Sequence, residues 1–302
     1  MKKLTILVLL LAMLTAFDFA EVGLTAGLEV GFDSVNTPDK SDYNGVDASD
    51  TLYILPFITF EKTLAKDFDL SADLGLYMPA IASDADFSPE IWADVKGTYT
   101  VNLSDAQSLG FGLGIAMQTA NLAGNDLGGV SDRYFNFQFI PFAKFTQTIK
   151  DTGSFYALLQ LIAFADNNDA TDFNMGLNAL VGFNFDFGLG IEAGLAADES
   201  FGFVNGVGFN FGLGDTNGDA EVQWLKIKPS YTYKALYAYA EVFVPLFDKG
   251  IDDLGITINP GVEVSVPGVD GLGVYAEAWL TQIGAADLDL NIGFCVGVTY
   301  SF

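Results

Sequence analysis

The chain has 302 residues, 50% of them hydrophobic, and a mean hydropathy of +0.33. Past its N-terminal run no segment approaches roughly 18 consecutive apolar residues, which excludes helical membrane spans and leaves short alternating strands to carry the apolar surplus. Thirty-nine Asp and Glu against 13 Lys and Arg give a net charge of -26, which repels phosphate backbones and excludes a nucleic-acid partner, while the absence of His and the single Cys295 remove His-based catalysis, intramolecular disulfides and Cys-ligated metals.

Lys2 and Lys3 precede an apolar run from Leu4 to about Phe17, with small residues at Ala16 and Ala20. This is the pattern of a secretory signal, and it predicts export, with a signal peptide over 1–20 and a mature chain over 21–302. Asp18 is not small, so cleavage after Ala16 stands beside cleavage after Ala20. The apolar run is shorter than the roughly 20 residues of a spanning helix, and no Cys follows it to make a lipoprotein signal.

From there the sequence predicts strands over 21–33, 51–63, 67–79, 88–101, 106–119, 132–149, 152–165, 172–184, 187–197, 220–233, 235–247, 253–266, 270–283 and 287–302. The connections alternate: 64–66, 102–105, 150–151, 185–186, 234 and 267–269 are tight, whereas 34–50, 80–87, 120–131, 166–171 and 198–219 are mostly longer. Short turns on one rim and long loops on the other predict an all-β fold, a transmembrane antiparallel up-and-down β-barrel of about 14 strands with both termini on the short-turn, periplasmic side. This count treats 201–214 as part of a long external loop, folded around an Asn205-Gly206 turn. If that segment supplies membrane strands, the alternative is 16.

Charge sets the facing. In the first strand Leu24, Leu28, Val30 and Phe32 oppose Glu29 and Asp33; in the third, Leu70, Leu74 and Leu76 oppose Asp69 and Asp73; in the fourth, Ile91 and Val95 oppose Glu90, Asp94 and Lys96. A Lys on the lipid side at mid-bilayer costs roughly 2–4 kcal/mol, so the charged face is the lumen. Strands 51–63, 132–149 and 152–165 alternate less cleanly, and their facing stays open.

Fourteen strands lie nearer an open channel than a filled barrel. Many inward positions are glycine, among them Gly27, Gly31, Gly110, Gly112, Gly114, Gly182, Gly293 and Gly297, which either leave bore or serve strand curvature. Later strands turn Lys226 and Lys228, then Tyr237, Tyr239 and Glu241, then Tyr275, Glu277 and Trp279 inward. These groups either form a ledge that stacks and hydrogen-bonds solutes or fill the barrel near its rims and its aromatic girdle. Glu192, Glu263, Asp287 and Asp289 add to an acidic pore lining, which predicts a preference for cations.

Some motifs carry no chemistry. Asp215-Thr216-Asn217-Gly218-Asp219 begins like a calcium loop, but Ala220 stands where the loop needs Gly and Lys226 where it needs the closing Glu. Gly110-Phe111-Gly112-Leu113-Gly114 lies inside an alternating strand with no following helix to hold a nucleotide. The sequence thus implies no cofactor, no metal and no enzyme.

In the last strand Leu288, Leu290, Ile292, Phe294, Val296, Val298, Tyr300 and Phe302 share one face, and Asp287, Asp289, Asn291, Thr299 and Ser301 share the other. This ending resembles the C-terminal signal of bacterial outer-membrane β-barrels. The resemblance implies location in the outer membrane and an assembly signal at Phe302, with membrane lipid and the barrel assembly machinery as partners. Together these features predict a porin-like channel for passive diffusion of small hydrophilic solutes and cations. The alternative is a surface-exposed structural or adhesive barrel that binds partners through its external loops. A secreted β-sandwich is a third reading.

Overall fold

The computed structural model describes residues 22–33, 51–81, 90–120, 134–166, 174–196, 223–247, 255–284 and 290–302. Every regular element among them is a strand: β1 (Gly23–Asp33), β2 (Thr51–Ala65), β3 (Phe68–Ile81), β4 (Glu90–Ser104), β5 (Gln107–Ala120), β6 (Tyr134–Ile149), β7 (Gly153–Asp166), β8 (Asn174–Phe185), β9 (Leu189–Ala196), β10 (Gln223–Tyr233), β11 (Leu236–Phe247), β12 (Ile256–Ser265), β13 (Leu272–Ile283) and β14 (Asn291–Ser301). Each strand pairs antiparallel with its neighbours in the chain, and β1 pairs β14 to close the ring. Closure satisfies every strand edge inside the sheet, the condition for β-structure in a bilayer.

The ring has fourteen strands. Direct pairing of β9 with β10, from Trp224↔Ala196 to Tyr231↔Leu189, leaves no place for the two extra strands of the alternative count. The candidate hairpin at Asn205-Gly206, the Asp215 motif and the signal segment lie outside the described residues.

Tight connections at 66–67, 105–106, 150–152, 186–188 and 234–235 gather at one end, and the longer ones alternate with them at the other. Asp151 and Lys234 adopt φ of 56° and 54° in two of these turns, which lets the chain reverse within two or three residues. The start of β1 and the end of β14 share the short-turn end, and the Phe302 amide donates to the Leu24 carbonyl at 2.9 Å across the closing seam.

The outer face is apolar. Leu28, Leu74, Val95, Phe111, Phe139, Leu159, Val181, Ile191 and Val296 are all exposed there, a continuous band that only lipid would cover without cost. No helix among the described residues is long and apolar enough to cross a membrane.

The three strands of open facing are settled by their neighbours' register. β2 turns Tyr53, Leu55, Phe57 and Thr59 inward, where they are buried, and Leu52 and Ile58 outward. β6 turns Gln138 and Ile140 inward and Phe137 and Phe139 outward, while β7 buries Ile162 and exposes Leu159 and Leu161.

Prolines mark gaps in the ladder. Pro56, Pro141, Pro229 and Pro260 each pair on one flank, with Leu28, Leu113, Ile191 and Ala240. On the other flank the register skips the proline and the residue before it. A residue without an N–H cannot serve a central strand on both sides.

Candidate functional site

The inner wall is built on a repeated unit, a glycine facing an aromatic ring across the ladder. Gly27 faces Phe57, Gly31 faces Tyr53, Gly182 faces Tyr156, Gly261 faces Tyr239, Gly293 faces Trp279 and Gly297 faces Tyr275. A Cβ at any of these glycines would stand 1.9 to 2.3 Å from the nearest ring atom, so the rings lie flat across the space a side chain would take. Of the two readings of such glycines, open bore and strand curvature, the first does not hold at Gly27, Gly31, Gly182, Gly293 and Gly297, where the neighbouring ring fills the space. The effect on the passage is nonetheless to keep large rings against the wall.

Laid flat, the rings aim their hydroxyls sideways at carboxylates. Trp92 stacks on Tyr77 with centroids 5.2 Å apart, and Tyr77 lies 4.8 Å from Tyr53. Tyr53 donates to Glu29 Oε1 at 2.8 Å, and Tyr275 donates to Glu29 Oε2 at 2.6 Å. Tyr239 donates to Glu277 at 2.7 Å, and Lys228 lies 4.3 Å over the Tyr239 ring. Lys228 and Lys226 each stand 3.0 Å from Glu241, and Lys226 also stands 3.3 Å from Glu192. Tyr156 donates to Glu192, and Lys144 lies 4.8 Å over the Tyr156 ring.

These contacts form two groups, one from β4 across the β1–β14 seam to Tyr275 and one from Glu277 round to β6. They are interrupted at the middle of β5, where the inward positions are Gly110, Gly112, Gly114 and Ala116. A carboxylate in a partly dehydrated interior needs donors, and a hydrogen bond to a charged group contributes on the order of 1.5–3 kcal/mol. The tyrosines supply those donors.

Charge is divided between two arcs. On β9, β10 and β11, Lys226 and Lys228 are matched by Glu192 and Glu241. From β12 across the seam to β4, Glu263, Glu277, Glu29, Asp69, Asp73 and Asp94 face inward with Lys96. Asp73 and Asp94 sit directly opposite each other in register and are both buried. Thr59 donates to Asp73 at 2.5 Å, whereas neither carboxylate oxygen of Asp94 has a donor within hydrogen-bond distance. This arc sets six inward acids against Lys96.

The residues singled out from sequence fall as follows. Glu29, Asp69, Asp73, Asp94, Lys96, Glu192, Lys226, Lys228, Tyr237, Tyr239, Glu241, Glu263, Tyr275, Glu277 and Trp279 all occupy inward register positions. Tyr239, Tyr275 and Trp279 thus belong to the interior and not to the outer aromatic girdle. Glu90 pairs with Tyr77 at the backbone, but its side chain, with Asp287 and Asp289, lies outside what is described. Phe302 ends the lipid-facing row and is 75% exposed. Cys295 is inward and buried among Tyr53, Leu55, Phe57, Tyr275 and Trp279, away from any partner that could bridge to it.

Sequence reasoning missed Tyr53, Tyr156 and Lys144, all on strands of open facing. The signal that finds Tyr53 and Tyr156 is the glycine opposite each, visible only once the register is known.

No protein-family model matches the chain, and no curated protein matches it in sequence. Solved structures do. A TodX deltaS2S3 mutant described as a monoaromatic hydrocarbon channel aligns with a TM-score of 0.51 at 9% identity, over 93% of this chain and 90% of that one. The deltaS2 mutant of the same channel aligns at 0.50 with 10% identity, again over 93% and 90%. The toluene transporter TodX of Pseudomonas putida aligns at 0.49 with 10% identity over 93% and 89%. At such identities the likeness concerns architecture: the chain has the closed antiparallel barrel fold of outer-membrane channels.

Proposed function

We propose that this chain is a porin-like outer-membrane channel through which small hydrophilic solutes diffuse passively, with cations preferred over anions. The observation that supports this best is a closed barrel with an apolar outer band and an inner wall of carboxylates, lysines and tyrosine hydroxyls. The hydrocarbon cargo in the names of the structural neighbours does not carry over. An inner wall holding Glu29, Asp73, Asp94 and Glu277 suits water and ions, and desolvating such groups against a hydrocarbon is costly. Membrane lipid outside and the barrel assembly machinery at Phe302 complete the set of partners, with signal-directed export over 1–20 preceding assembly. The absence of His agrees with transport in place of catalysis.

A carboxylate-lined passage with low-dielectric walls concentrates cations and repels anions, and the effect weakens as salt screens it. Purified protein in planar bilayers should conduct, with reversal potentials across a KCl gradient showing cation preference that grows at low salt. The double substitution Asp73→Asn, Asp94→Asn should reduce that preference by roughly two- to fivefold in permeability ratio, because it removes two of the inward acids on the acidic arc. Anion preference, or a cation preference untouched by the substitution, would place the selectivity elsewhere. Absence of conductance would favour the structural or adhesive reading, which draws on the dense packing of Trp224, Phe243 and Ala196 inside the barrel.

A further inference from the structure

A cavity of about 350 Å³ opens among β6 to β11 at the short-turn end of the barrel. Its volume is at the lower bound of small-ligand pockets, roughly 300–1,000 Å³, enough for one ring-sized solute. Thr146, Ser154, Asn184 and Ser230 line it with hydroxyls and a carboxamide, and Tyr237 lines it too. One layer deeper stand Lys144, Tyr156, Glu192 and Lys228.

The charges of this deeper layer are unequally satisfied. Glu192 is held by Lys226 at 3.3 Å and by the Tyr156 hydroxyl, and Lys228 is held by Glu241 at 3.0 Å. Lys144 has no carboxylate within ion-pair distance among the described residues. Its ammonium is parked over the Tyr156 ring, 4.8 Å from the centroid, beside the hydroxyl-bearing lip. The cavity therefore offers one cation without a counter-charge together with several neutral donors and acceptors. A metal ion would meet Lys144 and Lys228. An apolar solute would strip water from four polar side chains. A neutral sugar would match the hydroxyls and leave Lys144 unanswered. What matches the whole set is a carboxylate attached to a hydroxylated body.

We propose that the short-turn mouth carries a binding subsite for a sugar acid, a single hydroxylated ring bearing one carboxylate, with Lys144 as the carboxylate's partner and the Thr146, Ser154, Asn184 and Ser230 side chains holding the hydroxyls. The subsite names a solute class for the channel and rests on that reading for its use. It is compatible with cation preference among inorganic ions, because the excess of acids lies on the other arc and Lys144 acts on one wall of the mouth.

Calorimetric titration of the detergent-solubilised barrel with sodium glucuronate and with glucose tests the subsite without needing conductance. Glucuronate should bind at least several-fold more tightly than glucose. Lys144→Gln should weaken glucuronate by about tenfold and leave glucose unchanged, the loss expected for one charge-assisted hydrogen bond, while Lys144→Arg keeps binding within about twofold. Should Lys144→Gln fail to fold, as judged by loss of heat-modifiable migration, Ser154→Ala carries the test, with an expected loss of about threefold for one neutral hydrogen bond. Equal binding of glucuronate and glucose, or glucuronate binding indifferent to these substitutions, overturns the subsite. A barrel that binds glucuronate through Lys144 but does not conduct overturns the channel reading alone, and one that conducts without binding overturns the subsite alone.

Discussion

A Cβ at Gly297 would stand 2.1 Å from Cζ of Tyr275, the ring whose hydroxyl reaches Glu29 at 2.6 Å. Gly297→Ala must therefore lift the ring from the wall, a local overpacking that costs about 1–3 kcal/mol. Tyr275→Ala removes the ring itself and its bond to Glu29. Once the ring is absent the methyl group at 297 has room, so the two losses should not add, and the coupling between them should reach on the order of 1 kcal/mol. Urea unfolding midpoints of the two single variants and the double variant in lipid vesicles measure it. Full additivity would mean that the glycine and the ring are independent features. The same geometry explains why this part of the site was hidden from sequence. A run such as Gly27, Glu29, Gly31 reads as a sparse inward face, and only the register to Phe57 and Tyr53 shows that the apparent space is occupied.

At the scale of elements, legibility followed the contrast between faces. β1, β3 and β4 alternate charged or small residues with aliphatics, and their spans and facing are readable from the residues alone. β2, β6 and β7 carry large apolar residues on both faces, so alternation gives no direction, and their facing comes only from the strands they pair with. That is why Lys144 on β6 went unrecognised, and why Lys226 and Lys228 were visible as charges but not as members of a network closed by Glu192 and Glu241. The facing of β7 can be tested with two adjacent residues. Leu159 is exposed on the outer face, whereas Gln160 is inward and accepts from Asn178 at 3.1 Å. Leu159→Lys places an ammonium in the hydrocarbon and should cost roughly 2–4 kcal/mol near mid-bilayer. Gln160→Lys loses one neutral hydrogen bond, about 1 kcal/mol, and keeps its charge in the polar interior. Equal losses in vesicle refolding, or a larger one at 160, would reverse the facing of the strand.

At the scale of the whole molecule, closure in chain order fixes an orientation that no single strand could. The start of β1 and the end of β14 lie at the end that carries the turns at 66–67, 105–106, 150–152, 186–188 and 234–235. Outer-membrane barrels place short turns in the periplasm and long loops outside. The turn at 150–152 should then face the periplasm and the segment 34–50 the exterior. Cys295, the native thiol, is 2% exposed and offers a reagent little access, so introduced cysteines can report without removing it. Asp42→Cys should react with a bulky polyethylene-glycol maleimide on intact cells. Lys150→Cys should react only after the outer membrane is permeabilised. Labelling at 150 in intact cells with protection at 42 would invert the barrel. It would then move the lysine-lined mouth from the periplasmic side, where it meets solutes last on entry, to the outside, where it meets them first.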